Sequence, residues 1–545
     1  MADEEEPKTA FVDESAVPSA QASGEENGSL GNSWSEVSDM RQGLHQRHVQ
    51  MISIAGTIGT GLFLGSGTSL ARAGPVGALL GYTIIGAIVC NVVLAVGEMG
   101  ALLPLSGGIV RYTETFVDPA LSFAIGWNQV YSGCKSTFCD KSGKAATLIQ
   151  WWITINNAVW IVVFGSVMTV STLLFVRVYG EMEFFFATLK ICLIIIVNVT
   201  ALVVVCGGGP NGVATGFTYW RNPGPFVQYL GIEGALGRFL GFWTTFSNAA
   251  YAYAGSDSIV VAAAETRNPR QTIPHAAKRV FARVAIFYII TIFFVGLLVP
   301  SDNEQLLSAS GTAASPFVIG ANIARIPVLP SVINAIVITS AWSSGNAGML
   351  NNSRYLFGMA KHGHAPKIFL RLNRFGVPYC AVLLITLFMS LAFMSLSKGA
   401  ATVFTWLQSL VSIGALITWT TISVTYLRFY YGCKAQGIDR NELPWKSPFQ
   451  PYAIWASLFF LVLIMLTSGY KVFLHDHWAT ESFISSYINI PIFLVLYLSY
   501  KFINRTNIIP LSEIPIRPLL EHAQRFPEPP EEPKQGWKKL NIFWN

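Results

Sequence analysis

The sequence predicts an all-α polytopic membrane protein, and three observations carry that prediction. Of its 545 residues 52% are hydrophobic and only 12% are charged, where soluble chains carry roughly 25% charged residues. Apolar runs recur between residues 49 and 504, and about 20 such residues suffice to cross a bilayer. Two of the runs are interrupted by small residues that let a helix unwind. The first break reads Ile52-Ser53-Ile54-Ala55-Gly56-Thr57-Ile58-Gly59-Thr60-Gly61-Leu62-Phe63-Leu64, and the second reads Ser247-Asn248-Ala249-Ala250-Tyr251-Ala252-Tyr253-Ala254-Gly255-Ser256-Asp257.

In chain order the spans fall at 49–70, 76–103, 119–131 with a continuation to 155, 158–178, 184–206, 240–262, 280–299, 328–350, 377–397, 402–430, 452–474 and 483–504. This gives about twelve helices, with helices 1 and 6 discontinuous. Lipid offers no partner to the N–H and C=O groups that an unwound helix exposes. Such breaks persist where protein lines a cavity or a polar ligand binds, and paired breaks in two halves point to a transporter's binding site.

Orientation follows from the positive charges. Alternate loops carry Arg267, Arg270, Lys278, Arg279 and Arg283; then Arg354, Lys361, Lys367, Arg371 and Arg374; then Arg428, Lys434, Arg440 and Lys446. The intervening loops hold little beyond Arg325, Lys398 and Lys471. The positive-inside rule places the rich loops, and with them both termini, in the cytoplasm. Residues 1–44 read as a disordered acidic tail, 45–505 as the transmembrane domain, and 506–545 as a second cytoplasmic tail, whose proline-rich stretch from Pro510 to Pro533 has too few apolar residues to pack. No cleavable signal peptide precedes the first span. The net charge of +6 is explained by topology and does not argue for nucleic acid.

Seven cysteines give no disulfide framework; Cys90, Cys192, Cys206 and Cys380 sit in apolar spans, where cysteine behaves as a small hydrophobe. Neither His362-Gly363-His364 nor His475-Asp476-His477 has further ligands at metal-site spacing, so no metal or cofactor is expected. Asn27, Asn198 and Asn504 match the glycosylation pattern but fall in cytoplasmic tails or a span, so glycosylation is not expected there.

Several ordered motifs carry a family resemblance. The run from Gly59 to Gly67 followed by Ala73-Gly74-Pro75 resembles the first helix of fungal (yeast-type) amino-acid permeases of the amino acid–polyamine–organocation superfamily. So do Gly224-Pro225-Phe226, Phe239-Leu240-Gly241-Phe242-Trp243, Ala264-Glu265-Thr266-Arg267-Asn268-Pro269 and the block from Asn352 to Lys367. The resemblance spans roughly residues 45–505. It implies a 5+5 inverted repeat plus two further helices, and import of amino acids with protons across the plasma membrane.

Under that resemblance the half-helix after the first break aims free N–H groups and a positive dipole end into the cavity. Thr57, Gly59, Thr60 and Gly61 are where an α-carboxylate would sit, with glycine allowing close backbone approach. Tyr253, Ala254 and Gly255 would offer carbonyls to the α-ammonium, and Tyr251 matches the family's aromatic gate. Close helix packing is the plainer explanation of such glycines, and it is the one expected for Gly65 and Gly67. Ser343 and Asn346, with the region around Ser409–Ser412, are expected to shape the side-chain pocket.

Intramembrane ionisable residues are costly and usually functional. Lys190 matches the lysine that in several relatives stands where sodium-coupled cousins hold their ion; it either couples transport or ties helices together as a fixed charge. Asp257 stands where most relatives carry glutamate, so reach or coupling differs. Glu98 reads as structural.

The third helix departs from the family. Gly133-Cys134-Lys135-Ser136-Thr137-Phe138-Cys139-Asp140-Lys141-Ser142-Gly143-Lys144 places four charges in ten residues, each costing roughly 2.5–3.5 kcal/mol within a span. Codons for these residues, read one nucleotide later, can encode Ala-Val-Ser-Leu-Pro-Ser-Ala-Ile-Ser, close to the family's helix. A local frame shift accounts for the stretch better than a Cys-x4-Cys metal or redox site, and transcript sequencing decides it.

Other classes fit less well. An enzyme needs a clustered nucleophile, base and acid, which the spans do not offer. A channel needs a filter motif. A nutrient receptor on a permease scaffold remains an alternative, as does a transport-defective permease if 133–144 is read as written. The expected partners are an amino-acid substrate, protons, membrane lipid, and trafficking or ubiquitination machinery on the tails. No unpaired basic residue near the breaks argues for acidic substrates, whereas Gly224-Pro225-Phe226, Leu298-Val299-Pro300-Ser301 and Gly311–Val318 resemble acidic and broad-range permeases. Neutral, broad and acidic substrates all stay open.

Overall fold

The computed structural model describes residues 59–528 apart from 105–106, 136–144, 146–147, 154, 174–175, 211, 259–267, 309–310, 398–399 and 476. Among the described residues every regular element is helical. The principal helices are α1 (Gly65–Leu102), α2 (Ile109–Phe116), α3 (Pro119–Cys134), α4 (Asn157–Leu173), α5 (Val176–Val205), α6 (Gly234–Tyr253), α7 (Pro269–Arg283) and α8 (Ile290–Leu298). They continue with α9 (Pro316–Ile323), α10 (Leu329–Lys361), α11 (Tyr379–Leu387), α12 (Ala400–Ala435), α13 (Tyr452–Thr467), α14 (Thr480–Tyr487), α15 (Asn489–Asn504) and α16 (Ile516–Arg525).

Among the described residues, three helical stretches are long and apolar enough to cross a membrane: α1, Gly180–Val205 within α5, and Thr405–Ala435 within α12. The α14–α15 pair joins them if its 43° bend is taken as one broken span. Several apolar helices are shorter, among them α4 and α13.

A third break, not anticipated from the sequence, lies inside α1. Gly74 leaves helical geometry at φ 76° and ψ 172°, a conformation that suits glycine. A Cβ there would stand 2.6 Å from the Pro225 carbonyl oxygen. Pro75 follows, where its missing N–H costs nothing at the start of a new helix. The freed backbone is satisfied by the loop that enters the notch. The Val76 N–H donates to the Pro225 carbonyl at 3.1 Å and the Val227 N–H to the Ala73 carbonyl at 3.4 Å. The Gly224-Pro225-Phe226 motif therefore serves as a plug for this break. It also separates the expected spans 49–70 and 76–103.

Helix ends follow local chemistry. Asp118 caps α3 by accepting from the Ala120 N–H, with Pro119 in the first turn. At the end of α10 the His364 N–H reaches the Met359 carbonyl at 2.8 Å and the Gly363 N–H the Ala360 carbonyl at 3.3 Å. This is a Schellman closure, and Gly363 takes the positive φ of 75° that it needs. The His-Gly-His run thereby finds a structural explanation.

The helices sort into two neighbourhoods. α1 packs against α6, α7 and α8, while α3 packs against α2, α10 and α15, and α10 also lies on α4 and α5. α12 touches α1, α3, α6 and α13 and so joins the two. Glu98 is buried at that junction. Arg440 grips its carboxylate at 2.8 and 2.9 Å, the Tyr426 hydroxyl donates at 2.6 Å and the Ser447 N–H at 2.9 Å. Every contact ties α1 to α12 and the loop behind it, as the structural reading of Glu98 expects.

The start of the second tail corrects an expectation. Rather than lacking the residues to pack, 505–528 lies along the bundle with Ile514, Ile516, Leu519 and Leu520 buried. The Ile509 N–H donates to the Val117 carbonyl at 3.0 Å, and the Gln436 amide donates to the Leu511 and Ile514 carbonyls at 3.1 and 2.7 Å. The Glu528 carboxylate accepts from the Arg270 and Gln271 N–H groups at 2.9 and 3.1 Å, an acid placed on the positive end of α7.

Candidate substrate site

The second break is geometrically explicit. α6 stops at Tyr253, Ala254 turns away at φ −57° and ψ 135°, and Gly255 takes a positive φ of 88°. Past the break, Ala254, Gly255 and Asp257 line a cavity of about 120 Å³. α3 contributes Gln129 and Ser132, α10 contributes Ser344, Asn351, Asn352 and Tyr355, and α12 contributes Val411, Gly414 and Thr418. Asp257 has the Gln129 amide and the Trp419 indole beside it. Among the described residues that line the cavity, Asp257 is the charged one.

The first break meets the same cavity edge. Gly59 packs so that a Cβ would stand 3.1 Å from the Ser344 hydroxyl oxygen. Gly61 fits against the second break itself, where a Cβ would fall 2.7 Å from Ala252 Cα and 3.1 Å from a Tyr251 ring carbon. Thr60 opens a short helical turn, Thr60–Phe63. Thr57 lies outside the described residues. Of the two outer glycines expected to serve packing, Gly67 does, with a Cβ falling 2.8 Å from the Ala314 carbonyl oxygen, whereas Gly65 faces open space.

Lys190 is fully buried on α5. Its ammonium donates to the Ser344 hydroxyl at 3.2 Å, so the cation stands one side chain behind the cavity wall. The neighbouring Ser343 faces away and donates to the Glu183 carboxylate at 2.7 Å. Asn346 accepts from Ser171 and Thr172 at 2.8 and 3.1 Å, holding α4 to α10 outside the cavity lining. Tyr253 donates to the Tyr82 carbonyl at 3.2 Å and lies 4.2 Å, centroid to centroid, from the Tyr288 ring. Tyr251 is buried beside Gly61. Ser412 donates to the Ser247 carbonyl at 2.9 Å, so it braces α6.

Gln129 and Thr418 are uncharged polar residues inside expected spans, and Asn351 and Asn352 stand just past the span expected at 328–350; the sequence pattern alone assigns none of them a face. Glu183 was also passed over, because beside Glu181 at a span's edge it reads as an ordinary terminal charge. Of the aberrant stretch 133–144, residues 136–144 lie outside the described residues. Cys134 is buried, and the Lys135 ammonium sits 3.2 Å from the centre of the Tyr131 ring.

The comparison with known proteins decides the class. Residues 48–511 match the family model for amino acid permeases. The chain belongs to the amino-acid permease family. It is 35% identical over 504 residues to the dicarboxylic amino acid permease of Saccharomyces cerevisiae, covering 90% of this chain and 82% of that protein. It is 36% identical over 547 residues to the proline-specific permease of Emericella nidulans, covering 99% of each. To the lysine-specific permease of Saccharomyces cerevisiae it is 34% identical over 512 residues, covering 93% and 83%. Membership makes this permease a membrane protein of amino-acid transport. The relatives' names span acidic, imino and basic substrates at nearly equal identity.

Proposed function

We propose that this permease imports amino acids across the plasma membrane by proton symport, with about twelve spans, a 5+5 inverted repeat, cytoplasmic termini and alternating access. The supporting observation is the cavity at the second break, which has Asp257 on one wall and Ser344, backed by Lys190, on another. A zwitterion suits that polarity. Its α-carboxylate goes to the Gly59–Gly61 backbone on the Ser344 side, and its α-ammonium to the Gly255 region and Asp257. Thr57 and Thr60 complete the first subsite; Tyr251, Tyr253 and Ala254 shape the second, and Ser343 and Asn346 hold the α10 wall. Lys190 and Asp257 couple transport, the lysine presenting a cation where sodium would otherwise bind. The test is uptake of labelled amino acids by a permease-deletion yeast strain carrying this gene, with a competition panel of L-proline, L-glutamate, L-lysine and L-alanine. Saturable uptake abolished by a protonophore supports the reading. Surface expression without uptake contradicts it and favours a receptor.

A further inference from the structure

We propose that Glu183 is the proton-binding carboxylate of this permease, sensing occupancy of the substrate site through Lys190 and the paired serines of α10. The inference rests on the proton-symport reading above and adds to it the group that takes the proton. Glu183 is wholly buried on the helix that also carries Lys190, and buried carboxylates in spans are expensive and usually functional. The two charges lie seven residues apart, about 10 Å along a helix. They engage consecutive residues of α10: Glu183 accepts from Ser343 at 2.7 Å and Lys190 donates to Ser344 at 3.2 Å. Ser344 lines the cavity and abuts Gly59.

The physical consequence is a linkage. With the site empty, the Lys190 cation favours the ionised form of Glu183. A substrate carboxylate arriving beside Ser344 offsets that cation, and proton binding at Glu183 becomes easier. At an effective dielectric near 20 the interaction over about 10 Å is worth on the order of tenfold in proton affinity. Linkage is reciprocal, so protonation raises substrate affinity by the same factor. The proton adds to a Glu183 oxygen from the outer solution and leaves to the inside once the substrate carboxylate departs. Ser343 can exchange its donating role for an accepting one, as a hydroxyl allows.

Other charges around Glu183 do not reproduce this arrangement. α4 and α8, which pack on α5, carry no charged residue. α10 carries Arg354 and Lys361, eleven and eighteen residues beyond Ser343, together with Tyr355; α5 itself adds Arg177, Glu181, Tyr179 and Cys192.

The experiment measures KM for whichever labelled amino acid of the four-member panel the wild type takes up best, from pH 5 to 7.5, in intact cells. The wild type should show KM rising on the order of tenfold across that range. Glu183→Gln, which keeps shape and can still accept from Ser343, should retain exchange of internal for external substrate and show a flat KM. A Glu183→Gln variant with the wild-type pH profile overturns the proposal. If Glu183→Gln fails to reach the membrane, Ser343→Ala decides. Losing a donor to the carboxylate should move the KM transition to higher pH, and an unmoved transition overturns the proposal. A wild type indifferent to pH and protonophore instead defeats the symport reading, which separates the two failures.

Discussion

Glu98 and Asp257 are both carboxylates set among apolar helices, yet their surroundings differ in kind. Glu98 is held by a guanidinium, a phenol and a backbone N–H at 2.6–2.9 Å, all from α12 and its following loop. Asp257 opens onto a cavity among amides and small residues at a helix break. A buried charge fully answered by protein fixes helices in place. A charge that faces a cavity stays available to something that enters. Lys190 lies between these cases, bonded to Ser344 and one side chain from the cavity.

Substitutions can break that contrast, in descending order of effect. Gly61→Val should abolish uptake while leaving the permease in the plasma membrane, because the added carbons would enter the 2.7 Å gap to Ala252. Near-normal transport, measured against surface labelling, would remove the first break from the site. Glu98→Ala removes the buried carboxylate that anchors the half-buried Arg440, the Tyr426 hydroxyl and the Ser447 N–H, and should cost about 3 kcal/mol of stability, read as a lower unfolding temperature in detergent. Asp257→Asn should leave stability within about 1 kcal/mol of wild type but raise KM about tenfold or more, since a charge-assisted contact to the ammonium is lost. Equal destabilisation by both variants would erase the distinction between them.

The smallest effect concerns the docked tail. Burial, then the Arg270 and Arg525 charges, hold the His522 ring below its ordinary value of 6.5, while burial pushes the Glu528 carboxyl above 4.5. A histidine lowered in the docked state favours docking while neutral, so docking weakens as pH falls from about 7.5 to 6. Glu528 acts oppositely, but only nearer its own ordinary range. Since the ring is only partly buried and solvent screens its charge, the change should stay below about 1 kcal/mol. It is measurable as faster proteolysis of the tail at pH 6, and His522→Asn should flatten it.

Much of this was legible in the sequence. The second break announced itself because glycine and alanine interrupt a membrane-length run, and Asp257 and Lys190 stood out as charges in apolar spans. The break at Gly74 carried a signal too, glycine followed by proline, but its plug comes from a loop some 150 residues later, beyond any local pattern. α16 was missed although Ile516, Leu519 and Leu520 fall at helical i, i+3, i+4 spacing; the surrounding prolines outweighed it. The amides of the cavity were not legible, because which face of an all-apolar helix turns inward depends on packing alone.

Proton-coupled transport is tested most directly with purified permease in liposomes, under an imposed pH gradient with no sodium present. Accumulation of a labelled amino acid against its concentration gradient, collapsed by a protonophore and unchanged by added sodium, is the predicted result. Accumulation driven by a sodium gradient, or none under either gradient, would contradict it.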